Sequence, residues 1–367
     1  MAVTVPVVII GGGTAASAMG IGLGQHGLNS LIVERGDDSG DKIGESLPPS
    51  ARPLLEALGI VELADNDGHL RCFGNRSAWG SDKLNDHDFM LSPYGYGWHL
   101  DRRRFERELA DRAVAVGAER MTETKVTSLE RAGSRWHLTL AGSAGDEEVE
   151  SAFVVDATGR AAWFGRRQRA ERIRDDRMVA LVGFLHAADP DTDSFTLIEA
   201  VRHGWWYSAT IPGGRLATAF VTDVKLLDTV FARTPKGLEA LLTDTVHTHE
   251  RIRVGGYRLT SSPTIAEAGG GRLDTPIGDG WLAVGDAAAS FDPLSSHGIV
   301  SSMAGGLRAA TAAADYLSGD AGSLRRYAEG VAASFERYRA GRRSYYAMER
   351  RWTDAPFWRG RTTEGKR

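Results

Sequence analysis

The sequence predicts an α/β fold: a Rossmann-like dinucleotide-binding domain assembled from separated stretches of chain, with an inserted β-rich domain and a C-terminal helical tail. Three observations predict it. A β-branched run over 5–10 leads straight into Gly11-Gly12-Gly13-Thr14-Ala15-Ala16, the strand, tight turn and helix start of a dinucleotide fold. Two further strand-like runs end far downstream, on Asp156-Ala157-Thr158-Gly159 and on Gly285-Asp286-Ala287. Between those two ends lies β-rich material, 178–188 and 195–222, with a turn at Pro212-Gly213-Gly214. At about 150 residues per domain, 367 residues suit two domains.

The elements follow in order. Strands are expected over 5–10 and 30–34, with a helix of small residues between them. After Pro48-Pro49, the apolar spacing of Leu54, Leu55 and Leu58 predicts a helix over 48–63. An Arg-rich amphipathic helix covers 101–116, a strand pair about 121–141, and a buried strand 151–156. One polar helix is expected around 236–251, a last parallel strand at 281–285, and a small-residue helix from Gly298 to about 317. The dinucleotide-binding domain then comprises 1–70, 100–164 and 271–320. The β-rich substrate domain comprises 71–99 and 165–270, and 321–367 is a helical segment.

Composition excludes several classes. Apolar residues are 42% and charged residues 25%, which is globular usage rather than that of a disordered or fibrous chain. Cys72 stands alone, so no intrachain disulfide forms and a cysteine zinc site is not expected. The net charge of −4 argues against a nucleic-acid partner, since duplex binders are basic. No run approaches the roughly 20 apolar residues of a membrane helix, and no charged region precedes an apolar leader. The expectation is a cytoplasmic protein without membrane partners.

Gly11-x-Gly13-x-x-Ala16 matches the dinucleotide fingerprint. The first glycine makes the tight turn, the second lets backbone approach a pyrophosphate, and the small third residue lets helix pack on strand. Thr14 and Ala15 begin the helix whose N-terminus faces the phosphates. Glu34, followed by Arg35, ends the next strand, where a carboxylate holds a ribose diol and repels a 2′-phosphate. The later motifs choose between NAD and FAD. A Gly285-Asp286 strand end places a carboxylate on a ribityl hydroxyl, and a helix from Gly298 aims its N–H groups at a flavin edge. A nicotinamide-only site has no use for that second set, so the expected cofactor is FAD. No metal cluster is expected: the ten histidines form no H-E-x-x-H or similar pattern.

The glycine fingerprint, the acidic strand end, Asp156-Ala157-Thr158-Gly159 and Gly285-Asp286-Ala287-Ala288 with Asp292-Pro293 together resemble the FAD-dependent monooxygenases of the p-hydroxybenzoate-hydroxylase and glutathione-reductase type. Gly44-Glu45-Ser46-Leu47-Pro48, Gly97-Trp98-His99-Leu100-Asp101-Arg102 and Gly204-Trp205-Trp206-Tyr207 are similar to the tryptophan-halogenase-like branch. Closest of all are the LodB- and GoxB-like flavoproteins that mature quinone cofactors. The resemblance implies FAD contacts at Gly44, Glu45, Ser46, Arg102, Thr158, Gly159, Pro293 and Ile299, with Val126 offering backbone to adenine. It implies a flavin hydroperoxide that hydroxylates or oxidises an aromatic, indole-like group, free or bound in a peptide or protein. It also implies cofactor maturation or natural-product tailoring; with no second G-x-G-x-x-G for NAD(P)H, the reductant docks transiently, a separate flavin reductase supplies the electrons, or the substrate itself reduces the flavin.

Departures from the family pattern bear on that activity. Halogenases carry a lysine after the G-E motif, and here no lysine lies between Lys42 and Lys83. Their flavin-side glutamate is replaced within Ser295-Ser296-His297-Gly298, and their W-x-W-x-I-P by Tyr207-Ser208-Ala209-Thr210-Ile211-Pro212. His297 is then the candidate acid/base, and Trp79, Trp206 and Tyr207 are candidates to line an aromatic pocket. Core packing is the competing reading for the tryptophans, because neighbours on a strand face opposite sides. For the tail from Arg342 to Arg367, aromatics on the core with arginines in water is favoured over a docking surface. A halogenase, a flavin-dependent reductase or dehydrogenase, and a non-catalytic flavin-binding assembly partner stand as alternatives.

Overall fold

The computed structural model describes residues 3–37, 42–65, 68–143, 145–189 and 193–362. Its first layer is a sheet of eight strands. Strands Trp281–Ala283, Gly145–Asp156, Val3–Ile10, Ser30–Val33 and Ala118–Met121 run parallel across it in that order. Val7, Val8, Ile9, Phe153, Val154 and Val155 are wholly buried, as expected of strands covered on both faces. Strand Gly145–Asp156 is longer than the expected 151–156. Its first half pairs antiparallel with Arg135–Gly142, which pairs in turn with Lys125–Ala132.

Helix Thr14–Gln25 covers one face and lies against helix Gly298–Leu317. Their small residues are a packing device. A Cβ on Gly22 would stand 2.6 Å from Ala310 Cβ, and one on Gly306 would stand 2.7 Å from Ala18 Cβ. Larger side chains would push the two backbones apart.

A second eight-stranded sheet carries Met178–His186, Arg215–Asp223, Gly204–Ile211, Phe195–Val201, Gly74–Ala78 and Asn85–Asp88 in spatial order. Short strands Arg258–Leu259 and Thr264–Glu267 pair on Met178–His186. A small sheet of Ser46–Leu47, Gly97–His99 and Leu70–Cys72 joins the two layers.

Two expectations need correction. The helix expected over 48–63 is a 3₁₀ turn at Pro49–Ala51 followed by helices Arg52–Leu58 and Val61–Asp65, broken at Gly59 with φ +68°. The single helix expected around 236–251 is two, Pro235–Leu242 and His247–Val254. The break has a distant cause. Buried Glu199 accepts from the amides of Val246 (2.7 Å), His247 (3.1 Å) and Thr248 (2.7 Å), which starts a new helix there.

Helix Ser323–Met348 and helix Pro356–Thr362 close the chain over the second sheet. Tyr346, Phe357 and Trp358 are buried with Trp205, Met178 and Val221. Of the tail arginines, Arg343, Arg350 and Arg359 are exposed as expected, whereas Arg342 and Arg361 are drawn into ion pairs. Arg342 donates to Asp292 (2.9 Å) and to Asp176, and Arg361 donates to Asp223 (2.6 Å). Among the described residues no helix is long and apolar enough to cross a membrane.

Candidate active site

The glycine-rich turn connects strand Val3–Ile10 to helix Thr14–Gln25. Gly11 adopts φ +107°, and a Cβ there would lie 2.3 Å from the Ala157 carbonyl oxygen. Only glycine fits where two turns touch so closely. Ala15 and Ala16 are buried against the sheet and its neighbouring helix. At Gly13 the situation is reversed: a Cβ would meet nothing within 4 Å. Gly13 also caps its helix without a side-chain hydrogen bond, so the first amides face open space with their dipole end exposed.

Glu34 stands beside this turn. Its Oε2 accepts from the Gly12 amide at 2.6 Å and its Oε1 from the Gly36 amide at 2.7 Å. The carboxylate retains acceptor capacity for a diol. Arg35 is exposed next to it. The Glu34 amide and carbonyl bond to Met121 and Thr124, which brings half-buried Val126 to the same end of the sheet.

Arg102 begins helix Arg102–Ala115, whose N-cap Asp101 accepts from the Arg104 amide. The Arg102 guanidinium donates to the Gly44 carbonyl (2.7 Å), the Ile43 carbonyl (3.0 Å) and the Glu106 carboxylate. Glu106 also takes Thr14 Oγ1 (3.1 Å) and the Lys42 ammonium. Arg102 therefore ties the Gly44 loop to the start of the dinucleotide helix. Glu106 was missed in the sequence, although its place four residues after Arg102 is ion-pair spacing.

The Asp156 motif is an organiser. Asp156 is wholly buried, and its Oδ1 accepts from the Thr158 amide (3.0 Å) and Thr158 Oγ1 (2.6 Å). Its Oδ2 accepts from the amides of Phe164 (2.8 Å) and Gly165 (2.7 Å). That holds Ala157 against Gly11 and sets Gly159 at φ +66° beside it. At the third strand end, Gly285 (φ +59°) packs on Ala15, and Asp286 pairs with Arg160 at 3.3 Å.

Asp292, 1% exposed, fixes the next turn. It accepts from the Leu294 amide (2.9 Å), Arg342 Nε (2.9 Å) and Tyr346 OH (2.8 Å). Pro293 follows it, and Gly298 opens helix Gly298–Leu317 with space where a Cβ would stand. Ile299 is buried beneath. His297, the helix N-cap, is exposed and its Nδ1 faces the Ser295 carbonyl.

The aromatic candidates separate. Trp206 is wholly buried on the far face of its strand, stacked on Phe220 at 5.2 Å. Trp205 faces the other way, and its Nε1 donates to Tyr346 OH at 3.1 Å. Trp79 packs edge-on against Trp205, Tyr346 and Trp358, and its Nε1 donates to the Tyr345 carbonyl at 2.9 Å. All three tryptophans belong to cores, the last two as the seat of the tail, because hydrophobic layers flank both faces of the sheet. Tyr207 differs: its hydroxyl meets Ser46 Oγ at 2.8 Å.

That bond leads into a buried polar cluster. Ser46 Oγ meets Thr196 Oγ1 at 2.9 Å, and His99 Nε2 meets the same hydroxyl at 2.9 Å. Burial, with Arg251 nearby, pushes His99 down to about 3, so it is neutral. Cys72 lies in the cluster, buried, its thiol pushed up by burial. Glu45 is 3% exposed with Tyr207 beside it, and its Oε1 has no hydrogen-bond partner among the described residues. Burial pushes the Glu45 carboxyl up to about 7 against the opposing pull of Arg102.

Glu45 lines a cavity of about 160 Å³ with Lys42, Leu100, Arg102, Phe184, Ile211 and Arg215. It lies where the dinucleotide layer meets the β-rich sheet. Benzene is held in protein cavities of about this size.

The open backbone at Gly13 and Gly298, two helix ends without side-chain caps, and Glu34 at the strand end fit an FAD molecule across this layer. Known proteins agree. Residues 66–366 match the tryptophan halogenase family model. LodB of Marinomonas mediterranea, assigned as an FAD-dependent oxidoreductase, is 26% identical over 96% of both chains. A tryptophan 2-halogenase of Chondromyces crocatus is 25% identical over 86% of this chain and 62% of its own. The solved structure of CmlS, a flavin-dependent halogenase, superposes with TM-score 0.85 at 25% identity, covering 98% of this chain and 68% of that one. That of QhpG, a peptidyl tryptophan dihydroxylase essential for tryptophylquinone cofactor biogenesis, shares the fold with TM-score 0.81 at 22% identity, covering 98% and 78%. The chain belongs to the tryptophan halogenase family and is an FAD-dependent oxidoreductase of that family.

Proposed function

We propose that this enzyme is a monooxygenase that oxidises an aromatic ring, an indole held in a peptide or protein, rather than a halogenase. One observation carries the reading: the site offers no free lysine. Lys42, at the cavity, is paired with Glu106, and the next lysine in sequence is Lys83, which is exposed. The stretch between holds Arg76, paired with Asp193 at 2.8 Å. The likeness to LodB over nearly all of both chains supports the same reading.

Bound FAD, once reduced, supplies the electrons that activate O₂. The protein's own residues do the rest. The Gly11–Gly13 turn and Glu34 hold the adenosine half, and Arg102 braces the Gly44 loop that closes on it. Phe184, Ile211 and Leu100 exclude water around the ring, and Arg215 and Arg103 in the same lining favour an acidic substrate segment. In sum, ring–H, O₂ and reduced flavin give ring–OH, water and oxidised flavin.

The test supplies the protein with a flavin reductase, NADH, O₂ and a tryptophan-containing peptide, with and without bromide. The expected product gains oxygen taken from isotopically labelled O₂ and is unchanged by bromide. A brominated product would overturn the proposal.

A further inference from the structure

Glu45, implied by resemblance as a cofactor contact, also carries a buried carboxyl at the cavity. It is buried, it lines the cavity, and Oε1 has no hydrogen-bond partner. An unpartnered buried carboxyl oxygen is costly. Its retention beside a ring-sized space calls for a ligand that satisfies it.

We propose that Glu45 is the proton acceptor for an aromatic ring seated in this cavity. The inference rests on the monooxygenase reading above. Replacing a ring C–H by C–O leaves one proton to remove: the new bond forms at carbon, the C–H electron pair returns to the ring, and the proton passes to the Glu45 carboxyl. The oxidant is O₂ with reduced flavin.

The surroundings suit that task. Arg102 and Lys42 approach from the helix and the loop, and their charges are shared with Glu106. Glu106, so paired, is held below the usual carboxylate range and is a poor base. Asp101 caps its own helix and faces Arg215 at 4.0 Å. On the sheet side Tyr207, braced by Ser46, stands beside the Glu45 carboxyl. Tyr207 is thus a positioning residue. His297, exposed outside this cavity lining, is not needed for the step.

The test compares FAD-loaded wild type with Glu45→Gln, using indole as the probe. Flavin titration first checks that the variant still binds FAD. Isotope-edited infrared spectra then follow the protonated carboxyl band with pH. The expected result is a band that titrates near pH 7, shifts when indole binds, and is missing from Glu45→Gln. Where indole is oxidised, Glu45→Gln loses about 10²–10⁴-fold in rate and the matching limb of the pH profile, and a ring-deuterium isotope effect emerges. Indole that binds the wild type without moving the band overturns the role of Glu45 alone. Indole that does not bind overturns the aromatic reading beneath it. Tyr207→Phe separates positioning from structure: its band titrates at a shifted pH with FAD binding intact.

Discussion

Replacing Asp156 by asparagine isolates the group that shapes the cofactor turn. The carboxylate receives four hydrogen bonds, two from Thr158 and one each from the Phe164 and Gly165 amides. An asparagine offers one oxygen and one NH₂, so whichever way it turns, at least one buried amide faces a donor. Orphaning that amide costs about 1–3 kcal/mol. The two amide bonds that remain lose their charge assistance, which roughly halves each and adds about 1 kcal/mol apiece. The expected loss is about 3–5 kcal/mol, a large part of the 5–15 kcal/mol that typically holds a fold. Denaturant unfolding of the apo-protein, followed by far-UV circular dichroism, measures it. A fluorescence titration with FAD should weaken in parallel, because the Ala157 carbonyl loses its seat against Gly11. A stability loss under about 1 kcal/mol with unchanged FAD affinity would refute this account of the motif.

Other outcomes follow from the same geometry. Gly11→Ala forces a Cβ to within 2.3 Å of the Ala157 oxygen at φ +107°, and FAD titration should find binding abolished even in folded protein. Arg342→Met takes the shared cation from buried Asp292 and leaves Asp176 with Arg361 alone; thermal unfolding should report a loss of about 3–5 kcal/mol, with FAD affinity falling as the Asp292-Pro293 turn loosens. Glu45→Gln changes the pH dependence of stability. Burial raises the folded-state value from 4.5 to about 7, so the native state keeps a proton that the unfolded state releases. Wild-type apo-protein should lose about 3 kcal/mol as pH rises through that interval, and the variant should not; parallel curves would contradict the assignment.

Much of the fold is legible because its signals are local. The run into Gly11, the acidic strand end at Glu34 and the start of helix Gly298–Leu317 each announce themselves within a few residues. What stayed hidden depends on partners far along the chain. Glu199 splits the helix pair near Val246 from 47 residues away. Arg342 reads as one more surface arginine until the fold brings it to Asp292, 50 residues away in sequence. Trp205 and Trp206 carry the same type and the same strand, and only the layers on each side assign both to cores. Glu45 is visible as part of a motif, but its burial and the unpartnered Oε1 are properties of packing.

The family's fold and its chemistry therefore separate at the level of charge pairing. The dinucleotide layer needs glycines, small helix residues and one acidic strand end, and these are all in place. Halogenases carry, in addition, a lysine after the G-E motif, and on the proposed reading its ammonium must be free of a carboxylate. Restoring a lysine alone does not meet that need. At position 76 the side chain lies between Asp193 and Asp86, so Arg76→Lys would set the new ammonium against the same two carboxylates. Bromide-dependent product should stay absent in Arg76→Lys when its product masses are compared with wild type, and brominated product from that single change would show that local pairing is not what withholds the activity. On the proposed reading, the carboxylates that pair a cation at the sheet edge contrast with Glu45, whose Oε1 has no hydrogen-bond partner.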